Sequence, residues 1–255
     1  MTKINVKRNP ATRLRHILSL AFNVLDGNAR TRESWCQVFE IPNVNSEKAL
    51  LEVQSRLLSL RKLFEDTESD LRQIPDINEE LFIKPLSRLA RVIDINGLHQ
   101  TWAHYRQFLD AHDMLALKYA EDRLTLEAES QENEISSDEI QEILSELTKL
   151  YESILASSLP LDLKNALLDL INEMLRGAHE YRVRGAIALK ESLTKSIGIL
   201  ATNKQALDEN RDSADVLALG RMLIRVDKAY AFAMRIQPLL QGAVNLFPAL
   251  VAHIK

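Results

Sequence analysis

The sequence has few of the residues that strands, disulfides and zinc modules require. Its 255 residues include seven glycines, seven prolines and one cysteine, Cys36, and aromatic residues make up 5% of the chain. A single cysteine excludes an internal disulfide and cannot by itself hold a structural zinc ion. Glycine and proline mark the turns between strands, so their scarcity argues against a fold of many strands. A lone cysteine also fits a reducing compartment, and we expect a cytoplasmic protein.

The sequence motifs of nucleotide-dependent and metal-dependent enzymes are also missing. The chain has no Gly-Lys dipeptide, and so no phosphate-binding loop of the Walker type, and it has no Gly-x-Gly-x-x-Gly. None of its six histidines follows an acidic residue by three positions, which the Glu-x-x-His pairs of di-iron bundles require. The zinc-protease pattern His-Glu-x-x-His is absent as well. We therefore expect no metal and no cofactor.

Charge of one sign is not in excess. The chain carries 32 basic and 36 acidic residues, a formal net charge of −4, which argues against phosphate-driven binding of nucleic acid or membranes by the whole chain. Basic residues interrupt the first apolar stretch, so we expect no signal peptide. Residues 236–254 contain no charged side chain, but their prolines and amides offset the gain of membrane insertion. We predict a buried or interfacial helix there, packed through Leu239, Leu240, Ala243, Leu246, Phe247 and Leu250.

The residues that are abundant favour helices. The chain contains 42 leucines and 25 alanines but only 11 valines, and leucine and alanine lose little side-chain freedom in a helix. Apolar residues recur at helical spacing in several stretches, for example Leu50, Val53, Leu57, Leu60 and Phe64. We predict an all-α protein, an antiparallel bundle of roughly eight to ten helices that lie in one continuous domain or in two helical subdomains.

An acidic segment divides the predicted helices. Residues 121–146 contain ten acidic residues and one basic residue, and residues 130–134 have no apolar residue. We predict an N-terminal helical region over 1–129, an acidic linker over 130–137 and a C-terminal bundle over 138–255. Ser136 and Glu139 have the spacing of a capping box, which predicts that a helix begins after Ser136.

Three histidines lie close together in a stretch predicted as one helix over about 98–127. On a continuous helix, His99 and His104 point about 140° apart, so we predict packed or surface side chains and no metal site, with His112 on the apolar face. Arg106 and His112 match the arginine, four to six residues, histidine pattern of helical HEPN ribonucleases, and about one such match is expected by chance. Metal-independent RNA cleavage by this pair stays an alternative.

Arginines mark a later predicted helix. Glu173, Arg176, Glu180 and Arg184 share one helical face with alternating charge, a pattern typical of a solvated surface. Arg176, Arg182 and Arg184 are nevertheless candidates for binding an anion or an acidic partner. Small residues on a neighbouring face, Ala178, Gly185 and Ala188, predict a close crossing with another helix.

Residues 31–41 have a faint helix-turn-helix pattern. Trp35, Val38 and Ile41 occupy positions that this motif buries, but Glu40 replaces the usual turn glycine and no basic run follows. DNA binding is therefore a further alternative. The function that the sequence favours is a non-enzymatic helical interaction protein, an adaptor, regulator or scaffold subunit. Membership of a bacterial regulatory or defence complex is one option for it. It would act through helix faces on a protein partner or as a homo-oligomer.

Overall fold

The computed structural model describes residues 9–127 and 132–241. Within these ranges it contains eleven α-helices, two short 3-10 turns and no strand, which confirms the all-α prediction. The chain forms two compact units, unit 1 over residues 1–131 and unit 2 over residues 132–255. The boundary between them falls within the acidic segment.

Unit 1 contains six helices and one 3-10 turn. They are α1 (Pro10–Phe22), α2 (Thr31–Val38), α3 (Glu47–Arg72), α4 (Glu79–Leu89), the 3-10 turn Ala90–Val92, α5 (Trp102–Arg106) and α6 (Ala111–Glu127). Side chains cap several of these helices, as where Asn9 Oδ1 accepts a hydrogen bond from Thr12 N at 2.9 Å and Ser46 Oγ accepts one from Ala49 N at 3.1 Å. Such caps satisfy amides that have no partner inside the helix.

Both tryptophans of the chain lie in the core of unit 1. Trp35 on α2 and Trp102 on α5 are fully buried and meet edge to face, with ring centroids 5.5 Å apart. The Nε1 of Trp102 donates a hydrogen bond to the Val24 carbonyl at 3.2 Å. Because each ring buries a large apolar area, this pair joins α2 and α5 to the segment that follows α1.

The predicted helix over about 98–127 is wrong as one continuous element. The helical segment stops at Arg106 and resumes at Ala111. At the break, Asp110 Oδ1 accepts hydrogen bonds from His112 N at 2.8 Å and Asp113 N at 3.4 Å, which starts α6 as a new helix. The side chain of Asp110 competes with the backbone for these amides, and apolar spacing does not reveal that competition.

Unit 2 contains five helices and one 3-10 turn. They are α7 (Ser137–Ala156), α8 (Leu161–Arg184), α9 (Ala186–Thr202), α10 (Lys204–Glu209), α11 (Ala214–Met234) and the 3-10 turn Leu239–Gln241. The helix predicted after Ser136 is confirmed, since Ser136 Oγ accepts a hydrogen bond from Glu139 N at 3.1 Å. Leucines and isoleucines from α7, α8, α9 and α11 fill one apolar core.

The helices α8 and α9 form a tight antiparallel hairpin around Gly185. This residue has φ 73° and ψ −152°, a conformation that is essentially restricted to glycine, and it lets the chain reverse in one residue. A close crossing is present, because Ala178 on α8 and Ala188 on α9 are fully buried and the two helices meet at Gly177. The prediction that Ala178, Gly185 and Ala188 share one helical face is wrong, since Gly185 is the turn between the two helices. A Cβ at Gly177 would lie 2.6 Å from Ser192 Cβ and 3.0 Å from the Ala188 carbonyl oxygen.

Gly177→Ala is expected to lower the free energy of unfolding by roughly 1 kcal/mol. The added methyl overpacks the hairpin by about 1–3 kcal/mol, which exceeds the gain of up to about 1 kcal/mol in helix propensity. Gly198→Ala is the matched control, because nothing lies within 4 Å of a Cβ there and alanine should therefore stabilise α9 by about 0.5–1 kcal/mol. Urea unfolding followed by circular dichroism measures both. Equal shifts of the same sign would contradict the close approach.

A buried carboxylate attaches the chain after α11 to the core of unit 2. Asp227 is 2% exposed, and its two oxygens accept hydrogen bonds from the amides of Leu239 and Leu240, each at 2.8 Å. Leu240 is buried, and Leu239 packs partly against the core. Both residues lie in a 3-10 turn, whereas the sequence predicted an α-helix here. The other predicted interface residues, Ala243, Leu246, Phe247 and Leu250, lie outside the described residues. No helix in the described ranges is both long and apolar enough to cross a membrane.

Asp227 is expected to make the stability of unit 2 depend on pH. Burial raises the pKa of Asp227 above its ordinary value of 3.8. The folded state therefore binds a proton that the unfolded chain has released, so the free energy of unfolding falls as the pH rises from 3.8 through the raised pKa. Asp227→Asn should flatten this decline, whereas Asp212→Asn, at a side chain that is 83% exposed, should not. Urea titrations across this pH range measure the slopes, and identical slopes in the two variants would refute the assignment.

Candidate interaction groove

An open groove of about 530 Å³ runs between α7 and α11 on the surface of unit 2. We call it the α7–α11 groove. Its lining consists of Glu139 from α7 and, from α11, Arg221, Ile224, Arg225, Lys228, Ala229 and Phe232. It therefore combines charged groups with apolar side chains, the composition of a binding surface.

The spacing of residues on α11 produces this lining. Arg221, Arg225, Lys228 and Phe232 follow one another at intervals of four, three and four residues and therefore share one face of the helix. The opposite face supplies buried residues to the core, among them Val216, Leu219, Leu223, Val226 and Tyr230. Sequence reasoning missed this stripe, although its interval pattern was visible. The pattern alone did not show that α7 would form the second wall.

Among the residues that the structure describes, only one of the three cations in the groove has a carboxylate partner. Arg225 donates hydrogen bonds to Glu142 at 2.7 Å and to Glu146, both on α7, and these bonds raise its pKa. Arg221 and Lys228 are exposed, and neither forms an ion pair or hydrogen bond with a described side chain. Two positive charges are thus available on the α11 wall, one on each side of the neutralised arginine.

Apolar side chains are exposed next to these charges. Phe232 is 57% exposed although it is a large aromatic residue, and Ile224 is only partly buried. Ile236, just beyond the end of α11, is 45% exposed. The order along α11 is therefore cation, apolar, cation, apolar at Arg221, Ile224, Lys228 and Phe232.

Two of the candidate anion-binding arginines, Arg176 and Arg184, form ion pairs with carboxylates of unit 2. Arg176 donates to Glu173 at 2.8 Å and to Glu180 at 3.1 Å. Arg184 is 2% exposed and donates to Glu180 at 2.9 Å and to both oxygens of Glu191 at 2.8 Å. These residues form a chain of alternating charges between α8 and α9. Glu180 and Arg184 are buried and Glu173 and Arg176 are half-buried, so the ladder is not the predicted solvated face. Arg182 is exposed and outside this network.

Arg106 and His112 contact different residues in the structure. Arg106 Nη2 donates a hydrogen bond to the Phe22 carbonyl at 3.1 Å, and the guanidinium lies 5.3 Å from the Phe22 ring centroid. The His112 side chain is 94% exposed, 3.3 Å from Asp110, so its predicted place on an apolar face is wrong. Packing of Arg106 against α1 accounts for its position without any phosphate.

The other histidines of this region are also surface side chains. His99 and His104 are exposed, and the His104 ring packs edge-on against Tyr105 with centroids 4.9 Å apart. In the described part of the chain, no group of three histidine, cysteine, aspartate or glutamate side chains is placed to hold a metal ion.

The helix-turn-helix pattern has the predicted burial but a longer connection. Trp35, Val38 and Ile41 are all buried, and Glu40 adopts the left-handed conformation with φ 55° in which that motif favours glycine. However, residues 39–46 separate α2 from α3, whereas the motif uses a turn of three or four residues. The first turn of α3 carries Glu47 and not a run of cations.

Comparisons with protein-family models, with curated proteins and with solved structures find no significant match to this chain. The geometry of the chain itself is therefore the basis for a functional proposal.

Proposed function

We propose that the protein is a non-enzymatic helical interaction protein, an adaptor, regulator or scaffold subunit, and that the α7–α11 groove is its principal contact surface. The observation that carries this proposal is the pairing of an exposed Phe232 with the unneutralised cations Arg221 and Lys228 in one groove. Such a combination provides an apolar anchor together with charged groups that fix its partner's orientation.

The energetics of binding favour this groove over isolated exposed leucines elsewhere. Single apolar side chains on a surface are common and need no partner. Protein interfaces, by contrast, are enriched in aromatic residues and arginine, and a few such residues in a cleft supply most of the binding energy. Phe232, Arg221 and Arg225 lie together in this groove.

We propose further that the protein acts in the cytoplasm, with a protein partner or as a homo-oligomer, as part of a bacterial regulatory or defence complex. Cys36, the single cysteine of the chain, is buried and forms no disulfide, which fits a reducing compartment. No contact among the described residues favours the ribonuclease or the DNA-binding alternative, so neither is proposed as a second function.

Site-specific photo-crosslinking in cells tests the interaction function. A photoreactive phenylalanine analogue at Phe232 is expected to form a recurrent crosslink to one protein, identified by mass spectrometry. The same analogue at Leu161, which is 70% exposed in the same unit, is the matched control and should not form it. Absence of a specific product at Phe232, or the same products at both positions, would refute the groove as the contact surface.

A further inference from the structure

We infer that the α7–α11 groove binds an acidic amphipathic helix of a protein partner, one that alternates carboxylates with large apolar side chains. This inference rests on the proposed function and names the chemistry of the partner. It follows from three features of the groove: the spacing of its free cations, the apolar side chains between and beside them, and the carboxylates on the opposite wall.

The free cations set a distance that a helix can match. Arg221 and Lys228 are seven residues apart on α11, which corresponds to two turns and about 10 Å along the axis. Two acidic residues seven apart on a partner helix have the same separation. Arg225 lies between the two cations but is already bonded to Glu142 and Glu146, so it offers no third charge. The groove is therefore complementary to two carboxylates and not to a continuous row of them.

Apolar side chains alternate with these charges. Ile224 lies between the two free cations, and Phe232 lies one turn beyond Lys228. A partner helix that places carboxylates at the cations therefore also places residues one turn away against Ile224 and Phe232. Large apolar residues at those positions would bury the exposed face of the Phe232 ring.

The carboxylates on α7 favour a helical partner over a polyanion as the occupant of the groove. Glu139 lines the groove and has no cation partner among the described side chains, whereas Glu142 and Glu146 on the same helix are paired with Arg225. A nucleic acid or an anionic lipid surface would bring uniform negative charge against Glu139. An amphipathic helix avoids that repulsion, because its acidic edge faces α11 while a neutral or basic edge faces α7.

Residues 242–255 do not have the charges of this partner. They contain no aspartate and no glutamate, so they lack the carboxylates that Arg221 and Lys228 would pair with. Charge complementarity therefore argues against these residues as the occupant of the groove.

Fluorescence anisotropy with the full chain tests the inference. The probe is a labelled, alanine-based helical peptide with two glutamates seven residues apart and a leucine one turn after each. Its counterpart carries lysines in place of the glutamates. We expect the glutamate peptide to bind and the lysine peptide not to bind. Phe232→Ala should weaken binding of the glutamate peptide roughly tenfold, since the exposed ring provides the apolar contact.

Charge reversal gives the decisive comparison. The double variant Arg221→Glu, Lys228→Glu should weaken glutamate-peptide binding by about tenfold or more and should create binding of the lysine peptide. The double variant Arg182→Glu, Lys190→Glu has the same net charge change at exposed positions on α8 and α9, outside the groove, and should leave both affinities unchanged. Equal effects of the two double variants, or no difference between the peptides, would overturn the inference.

The same wild-type and variant proteins also test other occupants of the groove. Binding of phosphatidylserine vesicles or single-stranded RNA that requires Arg221 and Lys228 would overturn the peptide assignment. Self-association that light scattering detects and that the same charge reversal abolishes would replace the partner with a second copy. A specific crosslink at Phe232 without binding of the glutamate peptide would refute the acidic helix and retain the interaction function. Peptide binding without any crosslink in cells would refute the function.

Discussion

Arg184→Met should lower the free energy of unfolding of unit 2 by about 3 kcal/mol, the low end of the range for breaking a buried ion pair. Arg184 is 2% exposed, and the side chain of Glu180, which accepts its hydrogen bond, is 10% exposed. Methionine preserves much of the apolar stem but removes the charge. Glu180 then loses one ion pair and keeps the one with Arg176, and Glu191 loses a bidentate partner.

Urea unfolding followed by circular dichroism, together with hydrogen exchange in peptides from 161–202, measures this effect. Arg182→Met is the matched control, because Arg182 is exposed on the same helix and its replacement should change stability by less than about 0.5 kcal/mol. Adding Glu180→Gln to Arg184→Met should recover part of the loss, since the buried carboxylate that lost its ion pair with Arg184 is then replaced by a neutral amide. If Arg184→Met were no more destabilising than Arg182→Met, the buried network would not hold the α8–α9 hairpin together.

Trp102→Ala should destabilise unit 1 by about 3–5 kcal/mol, the cost of deleting a fully buried aromatic side chain. The substitution would leave a cavity and would remove the edge-to-face contact with Trp35 and the hydrogen bond to the Val24 carbonyl. Trp102→Phe retains an aromatic ring and should cost less, because the loss is then mainly the hydrogen bond and part of the ring volume.

Fluorescence provides a specific measurement of this loss. Trp35 becomes the sole tryptophan in either variant, and since it lies in unit 1, its emission reports the unfolding of that unit. Leu126→Ala is the control truncation, because Leu126 is 81% exposed and should contribute less than about 0.5 kcal/mol. A loss for Trp102→Ala that matches this control would show that the tryptophan pair is not part of the stabilising core.

Features with local causes were predictable from the sequence. Leucine-rich stripes at helical spacing predicted the all-α fold, and the Ser136 cap predicted the start of α7. The small residues Ala178 and Ala188 predicted a close helix crossing, which α8 and α9 make, although Gly185 forms the turn between these helices. In each case the physical cause, a repeat, a side-chain oxygen or a missing Cβ, lies within a few residues of the structure it produces.

Features that depend on distant partners were not predictable in this way. The Arg176 and Arg184 guanidinium groups were candidates for an anion, but Glu191 from the next helix completes their network inside the hairpin. Arg106 was a candidate catalytic residue, and its contacts are with Phe22 of α1. A sequence lists charges but does not state which carboxylate or carbonyl will lie beside each one.

Sequence alone determined that this chain is helical, that α7 begins after Ser136, and that small residues allow a close helix crossing. Tertiary structure alone decided which cations are neutralised and which stay available in the α7–α11 groove. The physical reason is range: helix formation and capping act over one or two turns, whereas the state of a charge depends on groups that folding brings together from far along the chain.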